Sequence, residues 1–407
     1  MMRSEFLDIN KLTTDADVIR LFKVVEDHGG VLRFVGGAVR DALKNIKSYD
    51  LNLATDLSPD ELAEACSDEG YNTIPMGIKQ NSLLVKMDNS VVKISSLYKY
   101  VENDDGGMDI EYTDNWEEDA SRRDLTINAV YADEKGNVFD YYNGIEDLEK
   151  GYVRFIGSAA QKIKEDPLRI LRYFRFYAMY GLEEPNRKAI EACSEYAELL
   201  KKIPMEKIRD ELFKILATYH APRAFRLMQN NGILSYILPD AQYIDNLEFF
   251  NKIAVGENVA NGEIVRLFIL YRPDEVWAEN LAVRLKLNRG QKNLLMQLGN
   301  SEIKLGELLT TVGQKSIIYR YGKDFAQAFL LTSYAELLKV PDNLWGIYAA
   351  IAQMEKPVFP IAGKDLIALG ISSNHIGDVI KELEKRWIES GFTLDKEQLI
   401  NQYSEVI

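Results

Sequence analysis

The feature that most constrains the fold is a change of pattern near residue 160 of the 407-residue chain. Before it, short apolar runs alternate with helical stretches and glycine-rich turns; after it, apolar residues recur at helical spacing almost to the end. Strands follow a period of two residues and helices a period of about 3.6, so the two parts cannot share one architecture. The expectation is an α+β head followed by an all-α remainder, and a prior of roughly 100 to 200 residues per domain makes two to four units of a chain this long.

Within the head, residues 13–29 predict a first helix, with Val18, Leu21, Phe22 and Val25 on one face and "HGG" as its stop. "LRFVGG" predicts a buried strand ending in two glycines, "AVRDAL" a helical turn, and "YDLNLATD" a second strand whose Leu51 and Leu53 oppose Asp50 and Asn52. Ser58 and Glu61 form a capping box that opens the next helix. Further strands are expected at "SLLVKMD", "SVVKISSLY", "LTINAVYAD" and "NVFDYY". Beyond them, four segments from "EDPLRILRYFRFYAMYG" to "APRAFRLMQNNGIL" read as helices, and breaks are expected near "LPDAQYID" and "EKPVFPIAGKD".

Composition excludes several classes. Cys66 and Cys193 stand far apart and the histidines are scattered, so neither a disulfide framework nor a zinc site is expected. The first residues, "MMRSEFLDINKL", lack an apolar leader and no apolar run approaches the ~18 residues of a membrane span; no membrane partner and a cytoplasmic location are the expectations. A formal charge of -14 argues against a dedicated nucleic-acid binder, because phosphate neutralisation supplies most such affinity. Its distribution matters more: residues 101–120 carry nine acids and no base, whereas residues 160–230 carry 14 Lys and Arg against 10 acids, the makings of a basic strip.

Two motifs carry chemistry. In "FVGGAVRDAL", Gly36 and Gly37 end a strand where a helix bearing Arg40 begins, which offers free N–H groups, close backbone approach and a guanidinium to a phosphate; a tight turn is the plainer alternative. "YDLNLATD" then sets Asp50 and Asn52 on one face of a strand, as paired oxygen ligands for metal-assisted nucleotidyl transfer would be. In "EDPLRILRYFR", Asp166 and Arg169 are expected to share a helix face, an acceptor beside a donor fork that matches the exocyclic amine and ring acceptor of C or A; Arg172 and Arg175 would continue that face toward phosphates. A solvated helix with an ion pair is the other reading.

The ordered motifs "VGGAVRD", "YDLNLATD", "EDASRRDLTINAV", "DYYNGIEDLEKGYVRFIG" and "EDPLRILRYFRF" resemble the class II tRNA nucleotidyltransferase (CCA-adding) and bacterial poly(A) polymerase family, specifically over residues 30–240 and more loosely beyond. The resemblance implies a polymerase-beta-like nucleotidyltransferase head at 1–150, a helical neck with a base-reading helix at 151–235, a helical body at 236–360 and a helical tail at 361–407. It also implies CTP and ATP as substrates, the 3′ acceptor end of tRNA as partner, and Mg²⁺ as cofactor on Asp50 and Asn52. Gly36, Gly37 and Arg40 would meet the triphosphate, and Arg122, Arg123, Asp124 and Asn128 the phosphates and ribose.

The chain departs from that family at three places. Asn52 stands where the pattern Asp-x-Asp has its second carboxylate, Lys93 where an acid is usual and Tyr98 where an Arg is, and Gln80-Asn81-Ser82 replaces a His-Gly-Thr turn. A neutral amide and an ammonium weaken a site for a hard divalent ion. CCA addition, poly(A) addition and a non-catalytic RNA- or nucleotide-binding relative therefore all remain readings of the sequence.

Overall fold

In a computed structural model of the chain, apolar face and helical period agree from the first helix, α1 (Ala16–Asp27), whose Val18, Leu21, Phe22 and Val25 are buried. Residues 6–46, 51–76, 81–88, 90–102, 108–300 and 302–404 are described. The chain folds as two compact units, one of residues 1–203 with 228–237, the other of residues 204–227 with 238–407.

The first unit is built on a sheet. Strand β1 (Leu32–Val35) runs into α2 (Gly37–Leu43), and β2 (Asn52–Thr55) leads into α3 (Pro59–Asp68), opened by the expected Ser58–Glu61 capping box. Strands β3 (Asn72–Met76), β4 (Ser82–Lys86) and β5 (Val91–Ser96) follow, then a separate hairpin of β6 (Tyr98–Glu102) and β7 (Met108–Tyr112). Helix α4 (Trp116–Arg122), β8 (Val130–Ala132), β9 (Val138–Asp140) and α5 (Gly144–Lys150) complete the head. The large sheet has the order β3-β4-β5-β2-β1-β8-β9, with β2 and β5 parallel and every other pair antiparallel.

The alternation of the strands decides what each face does. Leu53, Leu83, Val85, Val92 and Ile94 join α1, α2 and α3 in one core. Val35, Ala54, Leu97 and Tyr131 lie in a second, smaller cluster with Trp116 and Ala120 of α4. Asn52 and Lys93, being out of phase with Leu53 and Ile94, share the face of Ala54 and are half-buried there.

Some expectations change. "LTINAVYAD" supplies only the three residues of β8, because a 3-10 turn at Thr126–Asn128 precedes it. Strand β3 and the β6–β7 hairpin carry no clear alternating signal: β3 is an edge strand, with Asn72, Ile74, Pro75 and Met76 exposed. Within 101–120 the described residues include β7 and the first turn of α4.

After the head come α6 (Ala159–Glu165), α7 (Arg169–Tyr180) and α8 (Arg187–Glu195). One side of α7 is buried through Ile170, Leu171, Tyr173, Phe174 and Tyr177, and Tyr173 stacks on Phe155 at 5.5 Å. The second unit is helical throughout its described residues, from Met205–Leu216 to Lys396–Ser404, with breaks at 238–243 and 354–362 as the sequence predicts. Leu366, Val379, Leu383, Trp387 and Leu399 form the core of its last part.

Candidate active site

The open face of the sheet, the β1–α2 turn and α7 enclose a cavity of about 640 Å³ within the first unit. That volume is in the range that holds small-molecule ligands, roughly 300 to 1,000 Å³. Every candidate residue named from the sequence lines it, apart from Asp50, which lies outside the described residues. Seven cationic side chains face two carboxylates, Asp124 and Asp166. In a chain of net charge -14 this concentration of positive charge marks an anion site.

The turn behaves as "VGGA" predicts. Gly36 has φ +72°, a conformation side chains rarely adopt, and a Cβ there would stand 3.6 Å from the Asn128 carbonyl and 3.9 Å from Arg123 Nη1. Arg40 is only 6% exposed and is held from several sides. Its Nη1 donates to Asn128 Oδ1 at 2.6 Å, its Nε to Tyr180 Oη at 3.0 Å, and its Nη2 to Asp41 Oδ1 at 2.8 Å. Arg40 thus braces the turn against the segment after α4 and the end of α7.

The "SRRD" motif is likewise a braced unit. Arg122 and Arg123 both donate to Asp119, a fully buried carboxylate one helical turn back, and Tyr131 Oη adds a 2.7 Å bond. Burial alone would raise the Asp119 carboxyl, but the two guanidinium charges and the tyrosine outweigh it and hold the carboxyl low. Asp124 accepts from Arg172 Nε at 2.6 Å, Asn128 Nδ2 at 3.0 Å and the Leu125 N–H at 2.8 Å. Here too burial pushes upward, and Arg172 with the hydrogen bonds brings the carboxyl down to about 2. Sequence reasoning missed Asp119, counting it only among the nine acids of 101–120; its signal was the spacing to two arginines at i+3 and i+4.

Asp166 and Arg169 do not share a helix face. Pro167 disfavours helical backbone in the residue before it, so Asp166 is extended at φ -149°, between α6 and α7. Its carboxylate accepts the Leu168 N–H at 3.0 Å, which starts α7. Arg169 donates to Glu165 at 2.6 Å and to the carbonyls of Lys162 and Arg122. Both residues still border the cavity, with Arg172 and Arg175 on successive turns of α7.

Strands β2 and β5 supply the floor. Asn52 and Lys93 are register partners, Ser95 and Ser82 exchange a 2.9 Å hydrogen bond, and Ser82 pairs with Ser95 across β4 and β5. Tyr98, 5% exposed, places its ring 3.5 Å from the Arg122 guanidinium, and Tyr100 packs edge-on to it at 5.5 Å. Burial, aided by a hydrogen bond with Tyr98, pushes the Tyr100 hydroxyl up to about 12.

A divalent ion needs a different donor set. Mg²⁺ takes hard oxygen ligands, usually one or two carboxylates. Among the described residues no three His, Cys, Asp or Glu side chains gather in a way that would hold a metal, and the strand pair presents an amide and an ammonium. Asp124 already accepts from Arg172, Asn128 and the Leu125 N–H, and one oxygen of Asp166 accepts the Leu168 N–H. The described residues do not fit the ion.

The family described as "Poly A polymerase head domain" matches residues 32–154, and "Probable RNA and SrmB- binding site of polymerase A" matches residues 184–244. The mitochondrial CCA tRNA nucleotidyltransferase 1 of Mus musculus is 33% identical over 377 residues, covering 91% of this chain and 86% of its own. The CCA-adding enzyme of Enterococcus faecalis is 26% identical over 422 residues, covering 96% and 95%. Two solved structures share the fold at TM-score 0.68 and 20% identity. They are the Bacillus stearothermophilus CCA-adding enzyme in complex with CTP, with 95% of this chain and 97% of that one covered, and a CCA-adding enzyme with ATP, with 100% of each covered. With its head matched, its length spanned by a relative one-third identical and its basic cavity set at the mouth of a mixed sheet, the chain belongs to the family of class II tRNA nucleotidyltransferases and bacterial poly(A) polymerases.

Proposed function

We propose that the chain transfers CMP and AMP from CTP and ATP to the 3′ end of tRNA without a nucleic-acid template. The observation that carries this reading is the cavity itself, where seven cations of the head and α7 face two engaged carboxylates. The names of the relatives, CCA tRNA nucleotidyltransferase and CCA-adding enzyme, support the choice of substrate.

In the transfer, the terminal 3′ oxygen of the RNA forms a bond to the α-phosphorus as the bond from that phosphorus to the bridging oxygen breaks, releasing pyrophosphate. This chain's contribution is positioning and charge. Arg122 and Arg123, held by Asp119, and Arg172, held by Asp124, are oriented before substrate arrives, so little reorganisation is needed when phosphate charge enters. Asp166 and Arg169 edge the same cavity as acceptor and donor for a base. The residues between 151 and 235 act in this scheme as the neck, with 1–150 as head and 236–360 and 361–407 as body and tail against the RNA. The cytoplasm is the proposed location; the mitochondrial relative supplies the alternative, which cell fractionation separates.

A second reading has its own observation. Asn52 beside Lys93 favours a relative that binds nucleotide and RNA without transferring. One experiment separates the two: pure full-length chain, tRNA lacking its 3′ end, labelled CTP or ATP, and Mg²⁺ or Mn²⁺. Addition limited to C, C and A supports the first reading, and long A tracts indicate poly(A) addition. No incorporation, with none restored by Asn52→Asp, rejects transfer and leaves binding.

A further inference from the structure

Lys93 of β5 and Asn52 of β2 are partners on adjacent parallel strands. Such partners sit about 4.8 Å apart and point to one side of a sheet, and here both side chains line the cavity. The other lysine and arginine positions nearby have company: Asp119 holds Arg122 and Arg123, Glu165 holds Arg169, and Asp124 holds Arg172. Among the described residues the Lys93 side chain has no hydrogen bond or ion pair, and it is half-buried in a cavity that six arginines also line. Like charges gathered in one cleft repel one another, and a polyanion entering the cleft relieves that repulsion.

We propose that Lys93 is a phosphate-binding cation standing in place of a divalent metal ion, so that this chain takes up a nucleoside triphosphate without Mg²⁺. An ammonium is a compact charge with three donors on a flexible stem, which suits phosphate oxygens that a metal would otherwise neutralise. Asn52 fits the same arrangement, because a neutral amide beside an ammonium can donate to a phosphate where a second carboxylate would repel it. The Ser82 and Ser95 hydroxyls, 2.9 Å apart on the same floor, add donors. The inference rests on the nucleotide-site reading above and goes beyond it by assigning charge neutralisation to the protein.

The test is CTP and ATP binding by the full chain, measured calorimetrically in EDTA and in Mg²⁺ at equal ionic strength, alongside 3′-truncated tRNA alone. The expected result is an affinity in EDTA within about threefold of that in Mg²⁺. Lys93→Gln should lose at least about tenfold in EDTA, and Lys93→Glu should bind only when Mg²⁺ is present. Circular dichroism and thermal melts confirm that each variant is folded, and Lys93→Arg, which keeps the charge, should bind in EDTA. Triphosphate binding that requires Mg²⁺ in the natural chain overturns the proposal while sustaining the nucleotide site. Binding in neither condition overturns both. If Lys93→Gln weakens only the tRNA, the contact is to RNA backbone and the proposal fails.

Discussion

Arg172 Nε on α7 donates to Asp124 Oδ2 at 2.6 Å, linking residues 48 apart and coupling the segment after α4 to the helix that borders the cavity. Because Asp124 is only 7% exposed and its carboxyl is held near 2, the pair contributes stability that is present above about pH 4 and is lost as pH falls toward 2. Arg172 is 34% exposed, so solvent screens part of the interaction. Asp124→Asn should lower unfolding free energy at pH 7 by about 2 kcal/mol and flatten the loss between pH 4 and 2, as urea titrations across that range will read. An unchanged acid limb would show that the pair does not govern it.

Asp119 is the keystone of "SRRD", with no exposed surface and two guanidinium groups on its oxygens. Removing it leaves Arg122, Arg123 and the Tyr131 hydroxyl without their shared acceptor. We expect Asp119→Ala to cost about 3 to 5 kcal/mol in denaturant unfolding, the range for one partner lost from a buried pair. Nucleotide affinity should fall with it, since both arginines lose their orientation.

Asp166 has two separable roles, and one substitution splits them. Asp166→Asn keeps an oxygen for the Leu168 N–H, so stability should change by less than about 0.5 kcal/mol, as expected where Asn and Asp are near-equivalent caps. It also adds an N–H₂ donor at the cavity edge. Incorporation assays should show the preference for CTP and ATP over UTP and GTP reduced by about tenfold, the worth of one misplaced hydrogen bond. Unaltered preference with unaltered stability would leave Asp166 as a helix cap alone.

Tyr98 covers Arg122 with its ring at 3.5 Å and is nearly buried. Tyr98→Phe should be tolerated, whereas Tyr98→Ala should cost about 3 kcal/mol through the lost ring and its cavity. Tyr98→Arg should also destabilise, because it sets a second guanidinium against Arg122. Thermal melts of the three variants give the order.

The α+β head, its first two strands, the Ser58 capping box and the helical remainder were legible in the sequence, because alternation, helical period and cap chemistry are local properties. The candidate residues named from the sequence, Asp50 apart, do line one cavity, but Ser95, Tyr100 and Phe176 line it too without any signal in the sequence reading. The edge strand β3 and the β6–β7 hairpin were not legible, since their pairing is set by partners rather than by alternation. Nor was the division of labour among the arginines. The helix start set Arg40 beside a phosphate, the resemblance Arg122 and Arg123, and the α7 motif read Arg169 with a base and Arg172 with phosphates; Asp41, Asp119 and Glu165 are near in sequence to the arginines they hold, whereas only the tertiary structure brings Asp124 to Arg172. Sequence by itself determined that an amide stands at 52 and an ammonium at 93, which the family resemblance reads as a departure from a carboxylate pattern; the register of β2 against β5, a contact between segments about 40 residues apart, decided that they stand side by side in one cavity.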